Sequence, residues 1–266
     1  MKKENFIIVS VLIVLAACNN KEDKEPNISA ATANTEQTMK SVIAKFPDSL
    51  LLKEKLIQYY RDNGSYDKAI AATNEILQRD SLNPRLWDIK ATLYFENGDT
   101  LNAIKSFEKA IQILPDPGYI MSLGSLYAQT KNSRALAVAD LLLQDKNAKA
   151  EKEALFLKGL YFNYTGDKTR AISFFDKCIS LDYTFMFGYR EKAIALYDLA
   201  KYDEAIKVLD KAVTLQNNFD EGYYWRGRCL EKLNKPTEAI EEYRTALMYS
   251  PDFVEAKEAL AKLETK

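Results

Sequence analysis

Residues 98–115, "GDTLNAIKSFEKAIQILP", are the stretch that decides the fold. The Gly-Asp pair that opens it is typical of a turn between two helices. Ala103, Phe107 and Ala110 then recur at the spacing of one helix face. Pro115 closes the stretch, because proline cannot continue a helix. The stretch therefore predicts a turn followed by one amphipathic helix.

One dipeptide of this helix recurs through the chain. The pair Ala-Ile stands at 69–70, 103–104, 171–172, 205–206 and 239–240. Successive pairs are 34 residues apart, except for one gap of 68 whose midpoint, residue 137, is also alanine. One 34-residue period therefore runs through the chain, and each unit of such an array buries its apolar face only by stacking on the next.

This period resembles the tetratricopeptide repeat (TPR), which has the same length and a matching residue pattern. In the second repeat the residues that carry the resemblance are Trp87, Ala91, Tyr94, Gly98, Asp99, Ala103, Phe107, Ala110 and Pro115. In the sixth repeat they are Tyr223, Gly227, Leu230, Ala239, Tyr243, Ala246 and Pro251. The resemblance implies an all-α fold, a right-handed α-solenoid (TPR superhelix) of antiparallel helix pairs with terminal capping helices.

We expect six repeats over residues 50–253, with starts near 50, 84, 118, 152, 186 and 220. The third repeat departs from the pattern. Its Leu-Gly-x-x-Tyr core at 123–127 stands one residue early, and its second half lacks the aromatic residue and the closing proline. Repeat arrays need polar outer caps, and residues 36–49 and 254–266 each predict a capping helix.

The N-terminus has the build of a bacterial export signal over residues 1–17. Its apolar run, Phe6–Ala17, is shorter than the roughly 20 residues that span a membrane. The Leu-Ala-Ala before Cys18 resembles the lipobox of bacterial lipoproteins, which implies that Cys18 becomes a lipidated (palmitate-bearing) N-terminus. An ordinary cleaved signal, or an uncleaved anchor with Cys18 present by chance, are the alternatives. Residues 18–35 lack aromatic side chains and predict a disordered tether.

The lipobox implies a lipid anchor in a bacterial membrane, and we expect the outer membrane, with the repeats facing the periplasm or the cell surface. The charged cluster Lys21–Asp23 is similar to export signals that send lipoproteins of some Bacteroidetes to the cell surface. Ordinary tether charge explains the cluster equally well.

Composition excludes several kinds of chemistry. The chain has 37 basic and 38 acidic residues, a net charge of −1, which gives no electrostatic reason to expect nucleic acid as a partner. It has no histidine, which excludes Ser-His-Asp and Cys-His catalysis and His-ligated zinc. We find no glycine-rich phosphate loop and no metal-ligand cluster, so we expect no cofactor, no metal and no enzymatic activity.

The cysteines besides Cys18 have a structural interpretation. Cys178 and Cys229 occupy small-residue or inner positions of two helices that lie two repeats apart. We expect both to be core residues, too far apart for a disulfide. The adjacent carboxylates of Glu241 and Glu242 do not face each other on a helix and predict a solvated surface.

A second face of each first helix is expected to line a concave groove, as the resemblance implies. In the first two repeats this face is mostly polar, with Glu54, Gln58, Arg61, Arg85, Asp88, Thr92 and Phe95. From the third repeat onward it becomes aromatic and apolar. The predicted partner-binding residues are Met121, Phe156, Leu160, Tyr164, Phe187, Arg190, Ile194, Tyr197, Tyr224 and Arg228. Core positions explain apolar residues here without any ligand.

Two functions from different classes fit these features. The first is a membrane-anchored scaffold that binds a protein partner, as an extended segment or amphipathic helix, at the bacterial envelope. The second is an accessory or regulatory subunit of a cell-wall or polysaccharide-processing enzyme, with the aromatic groove stacking on sugars. A hydrolase is a weak third, because nothing supplies an activated nucleophile or a base tuned near neutral pH.

Overall fold

A computed structural model of the chain describes residues 36–144 and 150–265. These residues form fourteen α-helices and no strand. The prediction of an all-α solenoid of helix pairs is confirmed. The signal, Cys18 and the tether lie outside the described residues.

The helices alternate as first and second members of successive pairs, with one additional helix at each end. They are α1 (Glu36–Lys45), α2 (Leu50–Asp62), α3 (Tyr66–Leu77), α4 (Pro84–Glu96), α5 (Thr100–Ile113), α6 (Pro117–Gln129), α7 (Arg134–Gln144), α8 (Glu151–Thr165), α9 (Lys168–Leu181), α10 (Met186–Asp198), α11 (Tyr202–Leu215), α12 (Asp220–Lys232), α13 (Pro236–Tyr249) and α14 (Val254–Glu264). We call α2, α4, α6, α8, α10 and α12 the first helices.

The turn within each pair uses one residue in the left-handed region. Glycine fills it at Gly64, Gly98 and Gly166, where φ is +65°, +81° and +96°, because glycine pays no steric penalty there. Ala200 and Asn234 occupy the same repeat position at φ of 58° and 57°. In the third repeat the left-handed residue is Lys131, one place earlier than the period requires. That helix pair is therefore shifted by one residue at its turn, as the sequence pattern is at 123–127.

The chain divides into two compact units, Met1–Leu123 and Gly124–Lys266, which we call unit 1 and unit 2. In unit 1 the core is built from α2, α3 and α4, around Leu56, Ile70 and Leu86, and Met39 and Ile43 of α1 pack against it. A core of unit 2 runs from α10 to α14. Its buried members are Ala193, Leu196, Ala205, Leu209, Tyr224, Trp225, Cys229, Leu230, Ala239, Tyr243, Ala246 and Ala256.

Two glycines of unit 2 let a buried ring lie directly on a helix backbone. A Cβ atom added at Gly159 of α8 would lie 2.5 Å from Cε1 of Phe175, and one at Gly227 of α12 would lie 2.6 Å from Cε1 of Tyr243. Both rings are fully buried. In these two pairs, α8–α9 and α12–α13, the second helix thus contacts the first through an aromatic ring that leaves no room for a Cβ atom.

None of the described helices is both long and apolar enough to cross a membrane.

Candidate partner-binding wall of unit 2

The first helices α8, α10 and α12 of unit 2 present a partly exposed set of aromatic, apolar and basic side chains. Five of the predicted groove residues belong to it, and we call them the unit 2 wall: Tyr164, Phe187, Ile194, Tyr197 and Arg228. Tyr197 packs edge-on against Trp225 and Tyr202, with ring centroids 5.6 and 5.3 Å away. Phe187 packs edge-on against Phe185 at 5.8 Å. The wall is therefore held in place by the core beneath it.

Three predicted groove residues lie in the core instead of on the wall. Phe156 is buried against the rings of Phe175 and Phe185, at centroid distances of 5.8 and 5.2 Å. Leu160 and Tyr224 are each 5% exposed. Packing removes these three side chains from solvent, so they have little surface left for a ligand.

Arg190 does not serve as an open groove cation, because it is 3% exposed and its charge is already paired. Its Nε donates to Glu191 at 3.0 Å, and its Nη1 donates to both carboxylate oxygens of Glu221 at 2.8 and 2.7 Å. The guanidinium also lies 5.1 Å from the ring centre of Phe187. Arg190 thus links α10 to α12 through a buried ion pair, and its charge is not available to a partner.

The acid in this buried group has an unusual environment. Glu191 is 2% exposed, and burial raises its pKa against the opposing effect of the Arg190 charge. Burial also raises the pKa of the Tyr164 hydroxyl, and the neighbouring charge of Glu191 adds to that rise. Tyr164 therefore stays a neutral phenol on the wall.

Arg228 is partly exposed, unlike Arg190, and it has a different set of partners. Its Nη1 donates to the hydroxyl of Tyr224 at 2.8 Å, and its Nη2 donates to the hydroxyl of Tyr197 at 3.4 Å. Its guanidinium carbon lies 5.7 to 5.8 Å from the ring centres of Tyr197, Tyr224 and Trp225. The guanidinium is therefore fixed on a floor of three aromatic rings.

In unit 1, the corresponding first helices carry charges that are paired with each other. Arg61 of α2 binds Glu96 of α4 through two hydrogen bonds, and Arg85 of α4 donates to Glu54 of α2 at 2.9 Å. Asp88 is mostly buried, and burial raises its pKa to about 6, although the Arg85 charge opposes the rise. Met121, the tenth predicted groove residue, is partly buried on α6 in unit 1.

The remaining candidates for chemistry have ordinary structural roles in the described residues. Cys178 and Cys229 are free thiols with no exposed surface, and burial raises the pKa of each to about 12. Residues 36–144 and 150–265 contain no group of three or more side chains that could hold a metal ion.

Comparison with known families settles what kind of array this is. A family model described as tetratricopeptide repeat matches residues 54–116 and 190–263, and a second model with the same description matches residues 152–185. This chain belongs to the tetratricopeptide repeat family. The fold is that of a scaffold for protein–protein interaction. No curated protein sequence matches the chain.

Two solved structures illustrate the fold of this TPR protein. A tetratricopeptide repeat protein from Parabacteroides merdae ATCC 43184 is 22% identical, with a TM-score of 0.67 over 87% of this chain and 91% of that one. PilW, described as a widely conserved type IV pilus biogenesis factor, is 19% identical, with a TM-score of 0.55 over 79% of this chain and 97% of that one. At these identities the likeness shows the shared fold.

Sequence reasoning missed the internal partners of the two arginines. Glu191 and Glu221, which neutralise Arg190, were not singled out, and neither was Trp225 beneath Arg228. One signal was present: Arg190 and Glu221 are 31 residues apart, as are Glu54 and Arg85, so opposite charges almost one repeat apart mark bridges between successive first helices.

Proposed function

We propose that this TPR protein is a lipid-anchored, non-enzymatic scaffold of the bacterial envelope that binds a protein partner through the unit 2 wall. The observation that carries the binding role is the wall itself, in which Tyr164, Phe187 and Tyr197 keep partly exposed rings beside Arg228. Tyrosine, tryptophan and arginine dominate the binding energy of protein interfaces. A wall fixed by its own core also loses little conformational freedom on binding.

The anchoring role is supported by the sequence before the repeats. Lys2 and Lys3, the apolar run Phe6–Ala17 and the Leu-Ala-Ala that precedes Cys18 have the order of a lipoprotein signal. One acyl chain gives weak membrane binding, and two signals give stable anchoring. A multiply acylated Cys18 followed by the tether of residues 18–35 would hold the repeats at a membrane surface.

Metabolic labelling with a palmitate analogue tests the anchor. We expect the wild-type chain to be labelled and membrane-bound, and Cys18→Ser to be unlabelled and released from the membrane. Cys178→Ser is the matched control, because its thiol is buried, and it should label like the wild type. A Cys18→Ser variant that still labels and stays on the membrane would overturn the anchoring proposal.

Affinity capture from detergent-solubilised envelopes tests the binding role. Chemical cross-linking followed by mass spectrometry should place a stoichiometric protein partner on α8, α10 and α12 of the wild type. Tyr197→Ala should weaken the affinity for the partner by about 10- to 100-fold, because it removes one aromatic side chain that would be buried on binding. Glu54→Ala in unit 1 is the control and should leave it unchanged. Loss of the partner from Glu54→Ala, with retention by Tyr197→Ala, would move the binding surface to unit 1.

The same capture distinguishes the rival function. Retention of glycan without a stoichiometric protein would favour an accessory subunit of a polysaccharide-processing enzyme, because aromatic rings also stack on sugars. That outcome would overturn the scaffold proposal.

A further inference from the structure

The charge on Arg228 has no carboxylate partner in the part of the chain that the structure describes. Within residues 36–144 and 150–265, no carboxylate oxygen lies within 4.0 Å of its guanidinium nitrogens. Four other arginines of unit 2 are paired with carboxylates: Arg170 with Asp167, Arg190 with Glu191 and Glu221, Arg226 with Asp210 and Glu242, and Arg244 with Glu241 and Glu264.

The groups that hold Arg228 are neutral. The hydroxyls of Tyr224 and Tyr197 accept its hydrogen bonds, and a hydroxyl, unlike a carboxylate, is a neutral acceptor. Tyr224 and Trp225 are 5% and 7% exposed, so the floor under the guanidinium is fixed in the core. The contacts orient the cation and partly desolvate it, but they do not neutralise it.

An oriented and partly desolvated cation is a preformed place for an anion. Removing a charge from water costs free energy unless an opposite charge compensates. A carboxylate that reaches Arg228 would gain charge-assisted hydrogen bonds, which are stronger than neutral ones. A guanidinium has five N–H donors. The hydroxyls of the two tyrosines accept one hydrogen bond each, from two of its nitrogens, so further donors are left for a carboxylate.

The surroundings decide which kind of carboxylate fits. The ring of Tyr197 on α10 lies beside the cation, and Ile194 stands one helical turn before Tyr197 on the same helix. Both side chains are partly exposed while packing on the core of unit 2. A free acid in water gains nothing from these apolar neighbours. An acidic side chain in a peptide can place apolar residues against them and its carboxylate on Arg228 at the same time.

We infer that Arg228 is the anchor for an acidic side chain, Asp or Glu, flanked by apolar residues in the protein segment that the unit 2 wall binds. This inference rests on the proposed scaffold function and names the chemistry of its partner. Arg190 takes no part in it, because Glu191 and Glu221 already satisfy that charge.

A positional-scanning library of synthetic peptides, presented to the full chain, tests the inference. Each pool fixes one amino acid at one position and varies the others. We expect the wild type to select Asp or Glu at one position, with Leu, Ile or Phe close by. Raising the salt concentration should weaken binding of the selected peptide, because a partly exposed ion pair is screened.

Arg228→Gln should remove the acidic preference and keep the apolar one. The peptide selected by the wild type should bind about 10-fold or more weaker, as expected for the loss of a hydrogen bond to a charged group. Its twin with Gln or Asn in place of the acid should bind wild type and Arg228→Gln equally. Arg170→Gln is the control, because Arg170 also lies on an aromatic ring, that of Phe162, but is paired with Asp167. It should keep the acidic preference.

The outcomes separate the inference from the function on which it rests. Apolar selection without an acidic preference, or an acidic preference that Arg228→Gln retains, overturns the anchor role and leaves the scaffold function standing. If no peptide pool binds the wild type, both fail. If the fluorescence of Trp225 shows that Arg228→Gln does not fold, the salt dependence of peptide binding to the wild type decides instead. The inference is overturned if salt weakens binding of the acidic peptide and of its Gln or Asn twin to the same extent.

Discussion

Units 1 and 2 use the same repeat and differ in what their first helices present. In unit 1, Arg61 and Arg85 pair with Glu96 and Glu54, so the charges of this face satisfy one another. In unit 2, the wall rings of Tyr164, Phe187 and Tyr197 are partly exposed, and no carboxylate among the described residues pairs with Arg228. The helix pair fixes the position of a side chain. The residue type at that position then decides whether its charge is neutralised by an ion pair within the protein or stays available to a binding partner.

One ion pair from each unit shows how much the depth of such pairs differs. The Arg85–Glu54 pair of unit 1 has an arginine side chain that is 51% exposed, whereas the side chain of Arg190 in unit 2 is 4% exposed. Exposed pairs contribute little, because water solvates and salt screens them. Buried pairs cost desolvation when they form and leave an isolated charge when one partner is removed. Mutations in the two units should therefore differ in size.

The largest expected effect comes from breaking the buried pair. Arg190→Met should lower the free energy of unfolding of unit 2 by about 3–5 kcal/mol, because Glu191 is left buried without its cation. The two tryptophans make the measurement local: Trp87 lies in unit 1 and Trp225 in unit 2, so urea unfolding followed by fluorescence in single-tryptophan variants reports each unit separately.

Arg85→Met is the matched variant in unit 1, and it should cost less than about 1 kcal/mol. The Arg190→Met variant should also lose stability as pH rises. With a folded pKa raised by burial above the unfolded value, Glu191 keeps its proton in the folded state, so stability is present at low pH and lost as the acid ionises. Equal losses for both variants would mean that burial does not distinguish the pairs.

The next effect concerns helix contact. Gly159→Ala should destabilise unit 2 by about 1–3 kcal/mol, because the new Cβ would overlap the buried ring of Phe175. In an unobstructed helix the same change would be stabilising. In unit 1, Ala91 holds the equivalent position, and Ala91→Gly should cost about 0.5–1 kcal/mol from backbone entropy. Thermal unfolding by circular dichroism checks both; a stabilised Gly159→Ala would show that the ring yields.

A smaller effect distinguishes the units by pH. Burial raises the pKa of Asp88 in unit 1 to about 6, above its unfolded value, so its contribution favours folding at low pH and is lost as pH rises from about 4 to about 6. In unit 2, the pKa shift of Asp182 has the opposite sign, because hydrogen bonds from Lys152 and Thr184 lower its pKa to about 2. Its contribution is present above pH 4 and lost as pH falls toward 2.

The free energy of unfolding of unit 1 should therefore change between pH 4 and pH 7 by about 1–2 kcal/mol less in Asp88→Asn than in the wild type. This figure is reduced for the partial access of Asp88 to water. Unfolding followed through Trp87 at several pH values measures it. Asp182→Asn should change the acid limb of unit 2 and leave this range unaltered. A wild-type unit 1 with the same pH profile as Asp88→Asn would refute the buried-acid interpretation.

The smallest effect is expected at the capping helix α1 of unit 1. Glu36 accepts hydrogen bonds from Lys40, Lys68 and Tyr60, and these lower its pKa to about 2. Glu36→Gln should cause a slight loss in the unfolding midpoint of unit 1 above about pH 4.5, and the loss should vanish as pH falls toward 2. Hydrogen exchange of α1 amides gives a local measurement. Glu264→Gln, which removes the partner of Arg244 in α14, is the counterpart in unit 2.

Much of the fold could be read from residues whose role is local. Gly98, Asp99 and Pro115 mark the beginning and end of a helix through backbone preferences that need no tertiary context. The unit 2 wall was harder to predict, because an aromatic residue at a first-helix position serves either the core or the surface. Tyr224 and Tyr197 look alike in sequence, yet Tyr224 is 5% exposed and Tyr197 keeps a partly exposed ring.

The sequence by itself determined the period of 34 residues, the helix pairs and the small residues at their contacts, because helix propensity, turn chemistry and apolar spacing act over a few neighbouring residues. Only the tertiary structure decided which charge is open. Arg190 and Arg228 each stand among aromatic residues on first helices, but Glu221, one helix pair away, reaches Arg190, whereas phenol hydroxyls reach Arg228. A charge is compensated by the groups that the fold brings within a few ångströms of it, and those distances depend on the tertiary structure.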